Sequence, residues 1–246
     1  ELAPFTSFDF IGGFRITGNP ELERTLVTNY DLRWELFPTP GELVAVSAYY
    51  KSFDNPIGKA FVPEAANPEI KYVNVSDAMV YGLELELRKK LTFLSPALEK
   101  LRFQGNFSYI HSVMAIPETE LDIVRQFNPE KGETRPFPGQ SPWLVNAGIN
   151  YFDMDKGVDA MLSFNMYGPR LAEISEGKNP DVYEQAFPQL DFSFSKGLNE
   201  HLNLRFAATN LLNATFRKVM TYKGNDYLIQ EFRPGTTFSL SINYKL

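Results

Sequence analysis

The chain has 246 residues, no cysteine and a formal net charge of −6, with 21 Phe and 12 Tyr. Without cysteine it can hold neither disulfides nor thiolate metal sites, and its negative charge argues against a nucleic-acid surface. No run of about 18 apolar residues predicts a transmembrane helix, but barrel strands escape that test because only alternate residues face lipid.

Apolar and polar residues alternate with a period of two in several segments, which is typical of β-strands with two different faces. Along 29–36, 81–88, 190–195 and 237–246 the apolar face carries large Leu, Phe, Tyr or Trp side chains. The pattern predicts nine strands, near 24–37, 42–53, 70–91, 99–114, 142–153, 158–167, 189–196, 201–214 and 236–246. Several reach the roughly 9–11 residues that a tilted transmembrane strand needs.

The connections between these strands alternate between short and long. The short connections are residues 38–41, 92–98, 154–157 and 196–200. The long connections are residues 54–69, 115–141, 168–188 and 215–235. Short periplasmic turns and long extracellular loops are typical of an outer-membrane barrel, and this alternation favours a barrel over a soluble sandwich.

Aromatic residues lie near the predicted strand ends. Those near the short turns are Trp34, Phe37, Phe93, Phe152 and Tyr244. Those near the long loops are Tyr49, Tyr50, Tyr109, Trp143 and Tyr167. Two such sets indicate aromatic belts at the two membrane interfaces, with an aromatic-rich core as the alternative.

The polar face of the predicted strand 70–91 carries full charges at Glu84, Glu86 and Arg88. Paired carboxylates could serve acid–base chemistry. We favour instead a lumen-facing position, where these charges meet water or the charges of a plug domain.

The strand count sets an orientation. If the short turns are periplasmic, the C-terminus lies at the periplasmic rim and the first strand descends from the outside. Bacterial single-chain barrels use an even number of strands, and an open sheet would leave unpaired edges in lipid. We therefore expect residues 1–246 to be the C-terminal part of one β-barrel domain whose N-terminal part is absent here.

Four segments resemble the TonB-dependent outer-membrane receptors. Gly-Asn-Pro-Glu-Leu-Glu at 18–23 and Val-Tyr-Gly-Leu-Glu-Leu-Glu at 80–86 are similar to late barrel strands of that family. Ala-Thr-Asn-Leu-Leu-Asn at 208–213 resembles its penultimate strand, and the segment from Arg233-Pro234-Gly235 resembles its closing strand. The final Leu246 departs from the usual terminal Phe or Trp.

The resemblance implies a 22-stranded barrel in the cell outer membrane, with nine C-terminal strands here. Its partners would be outer-membrane lipid, the protein's own N-terminal plug and the TonB complex, with other outer-membrane proteins possible in principle. It implies no cofactor. The expected function is TonB-dependent import of a scarce nutrient, either a metal chelate such as a siderophore or an oligosaccharide.

The long loops supply candidate ligand-binding residues, since Arg and Tyr can bind an anionic chelate or a sugar by charge-assisted hydrogen bonds and stacking. They are Arg125, Arg135, Arg170, Tyr183, Arg217, Tyr222 and Tyr227. Ordinary solvated surface is the alternative for each one.

Enzyme motifs are missing from the sequence, including Gly-x-Ser-x-Gly, a P-loop and His-Glu-x-x-His, so we expect no catalytic residues. His111 and His201 fall at opposite predicted ends of the barrel, so we expect no metal site. Two alternatives to the importer remain: a barrel subunit with a structural or assembly role in a larger outer-membrane complex, and a soluble carbohydrate-binding sandwich.

Overall fold

The computed structural model describes residues 2–3, 5–8, 15–62, 69–175 and 179–244. Up to residue 100 the strands are β1 (Thr6–Phe8), β2 (Arg15–Thr17), β3 (Leu26–Leu36), β4 (Leu43–Asp54), β5 (Ile57–Val62), β6 (Glu69–Asn74) and β7 (Ala78–Lys90). Thereafter the elements are β8 (Leu101–Ala115), α1 (Glu118–Arg125), β9 (Thr134–Arg135), β10 (Trp143–Asp153), β11 (Val158–Tyr167), β12 (Arg170–Ser175), β13 (Val182–Glu184), β14 (Gln189–Gly197), β15 (Leu202–Thr209), β16 (Phe216–Tyr222), β17 (Asn225–Phe232) and β18 (Thr237–Tyr244). No helix in these described ranges is long and apolar enough to cross a membrane.

Nine long strands form one antiparallel meander, which we call the spanning sheet. Its order is β3-β4-β7-β8-β10-β11-β14-β15-β18, with the short β9 paired to the end of β8. Each strand pairs with the next long strand along the chain, so the chain runs up and down across the sheet. The all-β barrel fold class is confirmed, as part of a barrel, and eight of the nine predicted strands each correspond to one strand of the spanning sheet.

The short connections of the spanning sheet are tight. Between β3 and β4 the turn contains Pro38, Pro40 and Gly41, and Gly41 has φ 83°. Two short 3-10 turns, Leu91–Phe93 and Pro96–Leu98, join β7 to β8. A backbone with positive φ favours glycine because a Cβ would clash, so Gly41 holds this rim in a compact turn.

The sequence pattern predicted the long connections as loops, but the structure shows further strands in them. Six strands from three of these connections (β5, β6, β12, β13, β16 and β17) join β1 and β2, which precede the spanning sheet in the chain. Together they form a second sheet of eight strands in the order β1-β2-β6-β5-β12-β13-β16-β17, which we call the loop sheet. The connection between β8 and β10 contains α1 and β9 instead. Two strand pairs of the loop sheet, β2 with β6 and β5 with β12, are parallel. Parallel pairing joins strands that are far apart in sequence, so a search for alternation within each loop does not reveal it.

The prediction of one strand over 70–91 is wrong. The segment divides into β6 in the loop sheet and β7 in the spanning sheet, separated by residues 75–77. Asn74 Nδ2 donates to the carbonyl of Asn55 at 2.9 Å, and Asp77 Oδ1 accepts from Asn55 N at 3.1 Å. Asn and Asp side chains that bond the backbone compete with strand ladders, which explains the break.

Two small cores stabilise the loop sheet. Phe61, Ile70, Val182 and Met220 form the first, entirely within the loop sheet. The second joins Leu171 and Ile174 of β12 to Ala78 and Met114, at the loop-side ends of β7 and β8. Because this second core contains residues of both sheets, it packs the loop sheet onto the spanning sheet.

The two faces of the spanning sheet differ in polarity. One face, called the outer face, presents large apolar side chains to the surroundings, including Leu32 (76% exposed), Leu240 (68%) and Ile242 (68%). Soluble monomers rarely expose so large a continuous apolar surface. An outer face in contact with lipid accounts for it, because lipid imposes no penalty on exposed hydrocarbon.

Candidate functional site: the polar face and the loop-sheet cavities

The polar face of the spanning sheet carries a row of amide side chains. Asn106, Asn146, Asn165 and Gln189 are in register across β8, β10, β11 and β14. Asn146 Nδ2 donates to Asn106 Oδ1 at 2.7 Å, and Asn165 Nδ2 donates to Asn146 Oδ1. The row borders a surface cavity of about 510 Å³. Its amides offer hydrogen-bond donors and acceptors without net charge.

The charged residues predicted to face the lumen lie on this polar face. Glu86 is in register with Asn106 and so continues the amide row onto β7. Its carboxylate receives Arg33 Nη2 and Arg88 Nη2, each at 2.8 Å. Glu84 lies two residues away on the same strand, in register with Ser47. Glu86 is therefore held within a small ion-pair network, while the lumen-facing role of these residues stays a prediction.

Three of the predicted ligand-binding tyrosines meet at a pair of cavities in the loop sheet. Tyr183 and Tyr222 line a cavity of about 720 Å³ between the residues after α1 and strands β13 and β16. Tyr222 and Tyr227 line a second cavity of about 340 Å³. Phe127 and Pro180 border both spaces, so the two cavities adjoin. We call this region the tyrosine cavity.

The hydroxyl group of Tyr183 stays protonated at ordinary pH. Burial raises its pKa to about 12, and the nearby Asp181 carboxylate adds to the shift while Arg135 opposes it. Desolvation disfavours the charged phenolate. Tyr183 can therefore donate a hydrogen bond at the wall of the tyrosine cavity.

The four predicted arginines all have carboxylate partners. Arg135 is 4% exposed and bonds Asp181 Oδ1 at 2.9 Å as well as the carboxylate of Glu120. Arg170 Nη2 lies 2.8 Å from Glu184, and its guanidinium stacks 4.4 Å from the Tyr167 ring. The ion pairs of the other two, Arg125 with Glu133 and Arg217 with Glu231, lie at the exposed surface. The ligand-binding role of all seven residues stays a prediction.

Several cavity residues are absent from the sequence prediction. Phe127 and Asn179 line the tyrosine cavity, beside the dipeptides Asn128-Pro129 and Asn179-Pro180. Asn-Pro dipeptides mark turns, but the sequence has five of them, beginning at residues 19, 55, 67, 128 and 179, so the dipeptide alone does not identify this cavity. A third cavity, of about 360 Å³, is lined by Lys59, Arg170 and Lys218 together with Glu173 and Glu184. These side chains come from three separate loops, so sequence spacing does not group them.

Comparison with known proteins points to one family. Residues 3–211 match the family described as TonB dependent receptor-like, beta-barrel. Members of that family are receptors and transporters, not enzymes. None of the curated proteins matches this chain in sequence.

Solved structures share the fold at low sequence identity. The ferric enterobactin receptor PfeA of Pseudomonas aeruginosa, in complex with enterobactin, has 15% identity and a TM-score of 0.58, covering 94% of this chain and 33% of that one. The copper transporter OprC has 14% identity and a TM-score of 0.61, covering 91% and 32%. The ferric yersiniabactin uptake receptor FyuA of Yersinia pestis has 14% identity and a TM-score of 0.54, covering 89% and 29%. The chain thus spans about a third of the length of these structures.

Proposed function

This chain belongs to the TonB-dependent receptor-like β-barrel family, and on that premise we propose that it is the C-terminal barrel portion of an importer for a scarce nutrient. The importer lies in the outer membrane, with the short turns and the C-terminus at the periplasmic rim. Alternating short and long connections along a nine-strand meander support this orientation.

The remainder of the barrel and a plug domain complete the importer. Among the residues that the structure describes, β3 and β18 each have one neighbour in the spanning sheet, so each leaves one edge unpaired there. Unpaired backbone groups are costly in hydrocarbon. Strands from outside this chain therefore pair with both edges. The plug meets the polar face, where Glu86, Arg88 and the amide row supply hydrogen-bonding groups.

The tyrosine cavity binds the nutrient on the extracellular side. The observation that carries this assignment is the convergence of Tyr183 from one loop with Tyr222 and Tyr227 from another on adjoining cavities. Aromatic rings stack on planar ligands or on the apolar faces of sugars. None of the four candidate arginines is among the described residues that line the tyrosine cavity. Its cations are Lys131, which is paired with Asp181, and Lys223, whose Nζ lies 5.2 Å from the centre of the Tyr222 ring. Recognition therefore rests mainly on stacking and hydrogen bonds, with Lys223 beside the rings. Both nutrient classes, a metal chelate and an oligosaccharide, fit this chemistry.

A binding measurement tests the tyrosine cavity. We expect Tyr222→Ala with Tyr227→Ala, made together in the parent protein, to weaken binding of a transported probe by roughly tenfold or more, because two stacking surfaces are lost. Suitable probes are ferric enterobactin, a copper(II) salt and a neutral malto-oligosaccharide, each followed by calorimetry. Tyr50→Ala is the matched control, since Tyr50 lies on the outer face. Equal affinities in the two variants would contradict the assignment.

A transport measurement tests the importer itself. Uptake of the radiolabelled probe that binds should fall to background when TonB is deleted, because import against a gradient needs that energy source. Uptake that continues unchanged in the deletion strain would refute TonB-dependent import.

A further inference from the structure

The outer face of the spanning sheet contains an apolar hollow that the transport function does not use. Its volume is about 430 Å³ and its exposed surface is almost wholly apolar. The side chains around it include Leu85, Leu87, Phe103, Gly105, Phe107 and Ala147. The strand register places all of these side chains on the outer face.

Two small residues in one transverse row create the hollow. Gly105 of β8 is in register with Ala147 of β10 and with Leu87 of β7. Phe103 and Phe107 lie two residues to either side of Gly105 on the same face. The absence of a side chain at Gly105 lets the Phe103 ring lie over the strand there, and the hollow is bordered by this ring, Phe107 and Ala147.

The Phe103 ring occupies the space that a side chain at position 105 would need. A Cβ atom on Gly105 would lie 3.0 Å from Phe103 Cζ and 3.1 Å from the carbonyl oxygen of Asn146. Real Cβ atoms rarely approach other atoms so closely, so Phe103 would have to move. The backbone at Gly105 and the ring of Phe103 thus shape the hollow together.

The position of the hollow on the sheet indicates its occupant. Tyr30, Tyr50 and Tyr81 form a row in register across the loop-side end of the outer face. Leu87 lies six residues beyond Tyr81, roughly 20 Å along the strand at about 3.4 Å per residue. Lys89, two residues further, marks the other boundary, with its Nζ 2.7 Å from Glu42. The hollow therefore opens within the apolar band, close to the short-turn rim.

We propose that this hollow binds one acyl chain of a phospholipid from the leaflet at the short-turn rim. It is continuous with the lipid-facing surface, and its apolar walls offer nothing to a polar ligand. The bound chain gains dispersion contacts with Phe103, Phe107 and the leucines, since each pair of atoms in contact contributes about 0.1–0.2 kcal/mol. The phosphate of the same lipid lies at the level of Lys89, where a cation meets the head-group region.

Lipid retention in the purified parent protein tests the proposal. Ala147→Leu fills the hollow from β10, and Ala160→Leu is the matched control, because Ala160 lies on the outer face in register with Tyr151, outside the hollow. The proteins are incubated with palmitoyl-oleoyl phosphatidylethanolamine in detergent, and bound lipid is counted by native mass spectrometry. We expect the lipid-bound fraction to fall roughly tenfold in Ala147→Leu and to stay unchanged in Ala160→Leu, a difference that corresponds to lost contacts of one chain.

Lipid retention that stays at the wild-type level in both variants, or that falls by the same amount in both, would overturn the proposal. Loss of a co-purifying membrane protein in Ala147→Leu, with lipid retention intact, would also overturn it and would identify the hollow as a protein contact. Should Ala147→Leu fail to insert, the smaller Ala147→Val replaces it with the same expected direction. The measurement involves no transport, so its outcome is independent of the importer proposal.

Discussion

Glu42 shows how one buried carboxylate fixes the short-turn rim. It precedes β4 and is 4% exposed. Its side chain accepts from Lys89 Nζ at 2.7 Å and from Lys90 N at 3.2 Å. The hydrogen bond from Lys89 is the main cause that lowers the pKa of this carboxyl group below its ordinary value. The ionised form thus ties the turn after β3 to the end of β7.

This pKa shift predicts a pH dependence of stability. A lowered pKa in the folded state means that the stabilisation is fully present above the ordinary carboxyl pKa and is lost as pH falls through the folded value. The difference in unfolding free energy between the wild type and Glu42→Gln should therefore be constant near neutral pH and shrink in acid. Urea unfolding of the parent protein at a series of pH values measures it.

The control for Glu42 is Glu99→Gln, which changes an exposed carboxylate on the same rim. Surface substitutions of this kind have small effects on stability. The role given to Glu42 would be contradicted if the difference in unfolding free energy between the wild type and Glu42→Gln were the same at neutral and at acid pH.

At the scale of elements, a buried ion cluster ties two loops together. Arg135 of β9 bonds Glu120 of α1 and Asp181 beside β13, and Lys131 Nζ lies 3.4 Å from the same Asp181. Asp181 Oδ1 also accepts from Ser175 N at 3.1 Å. Glu120, Lys131 and Asp181 line the tyrosine cavity. The cluster therefore positions α1 against the loop sheet at the wall of that cavity.

Arg135→Met should release α1 from the loop sheet. Removing one partner of a buried ion pair costs about 3–5 kcal/mol, because Glu120 loses its charged partner and Asp181 keeps only the longer contact with Lys131, at 3.4 Å. Hydrogen exchange in the parent protein should show faster exchange of amides in α1 and β13, with the spanning sheet unchanged.

Arg125→Met is the matched control for Arg135→Met. Arg125 lies on the same loop, but its ion pair with Glu133 is exposed at 3.7 Å, and such pairs contribute about 0–1 kcal/mol. Equal exchange of α1 amides in both variants would show that the buried cluster does not hold the helix.

The spanning strands were predictable from sequence and the loop sheet was not, for a physical reason. Each spanning strand has one lipid-facing side and one polar side. Apolar and polar residues therefore alternate along its sequence, as they do around Tyr30, Leu32 and Trp34. The loop strands are short and pair across distant loops, as β5 does with β12. Their burial depends on partners that no local pattern specifies.

The candidate site was predictable only in part for the same reason. Tyr183, Tyr222 and Tyr227 were identified from residue type and loop position, and they do meet in the structure. Arg135 was chosen by the same argument, but the structure buries it between Glu120 and Asp181. Residue type alone does not tell a free arginine from one already paired.

For the whole molecule, the organising feature is the opposite polarity of the two faces of one nine-strand sheet. The outer face is apolar and carries the hollow beside Gly105 and Ala147. The polar face carries the amide row and the Glu86 ion pairs. Above both, the loop sheet packs on β7 and β8 and holds the tyrosine cavity. We propose that these three surfaces serve membrane contact, passage and recognition, respectively.

Spin-label accessibility along β7 tests this central claim most directly. The 246 residues contain no cysteine, so single cysteines can be introduced and labelled one by one at positions 81–88 of the parent protein in lipid bilayers. We predict that accessibility to oxygen peaks at positions 83, 85 and 87, which face lipid, and is low at 84, 86 and 88. High accessibility to a water-soluble nickel chelate at 83, 85 and 87 would place the apolar face in water and contradict the account.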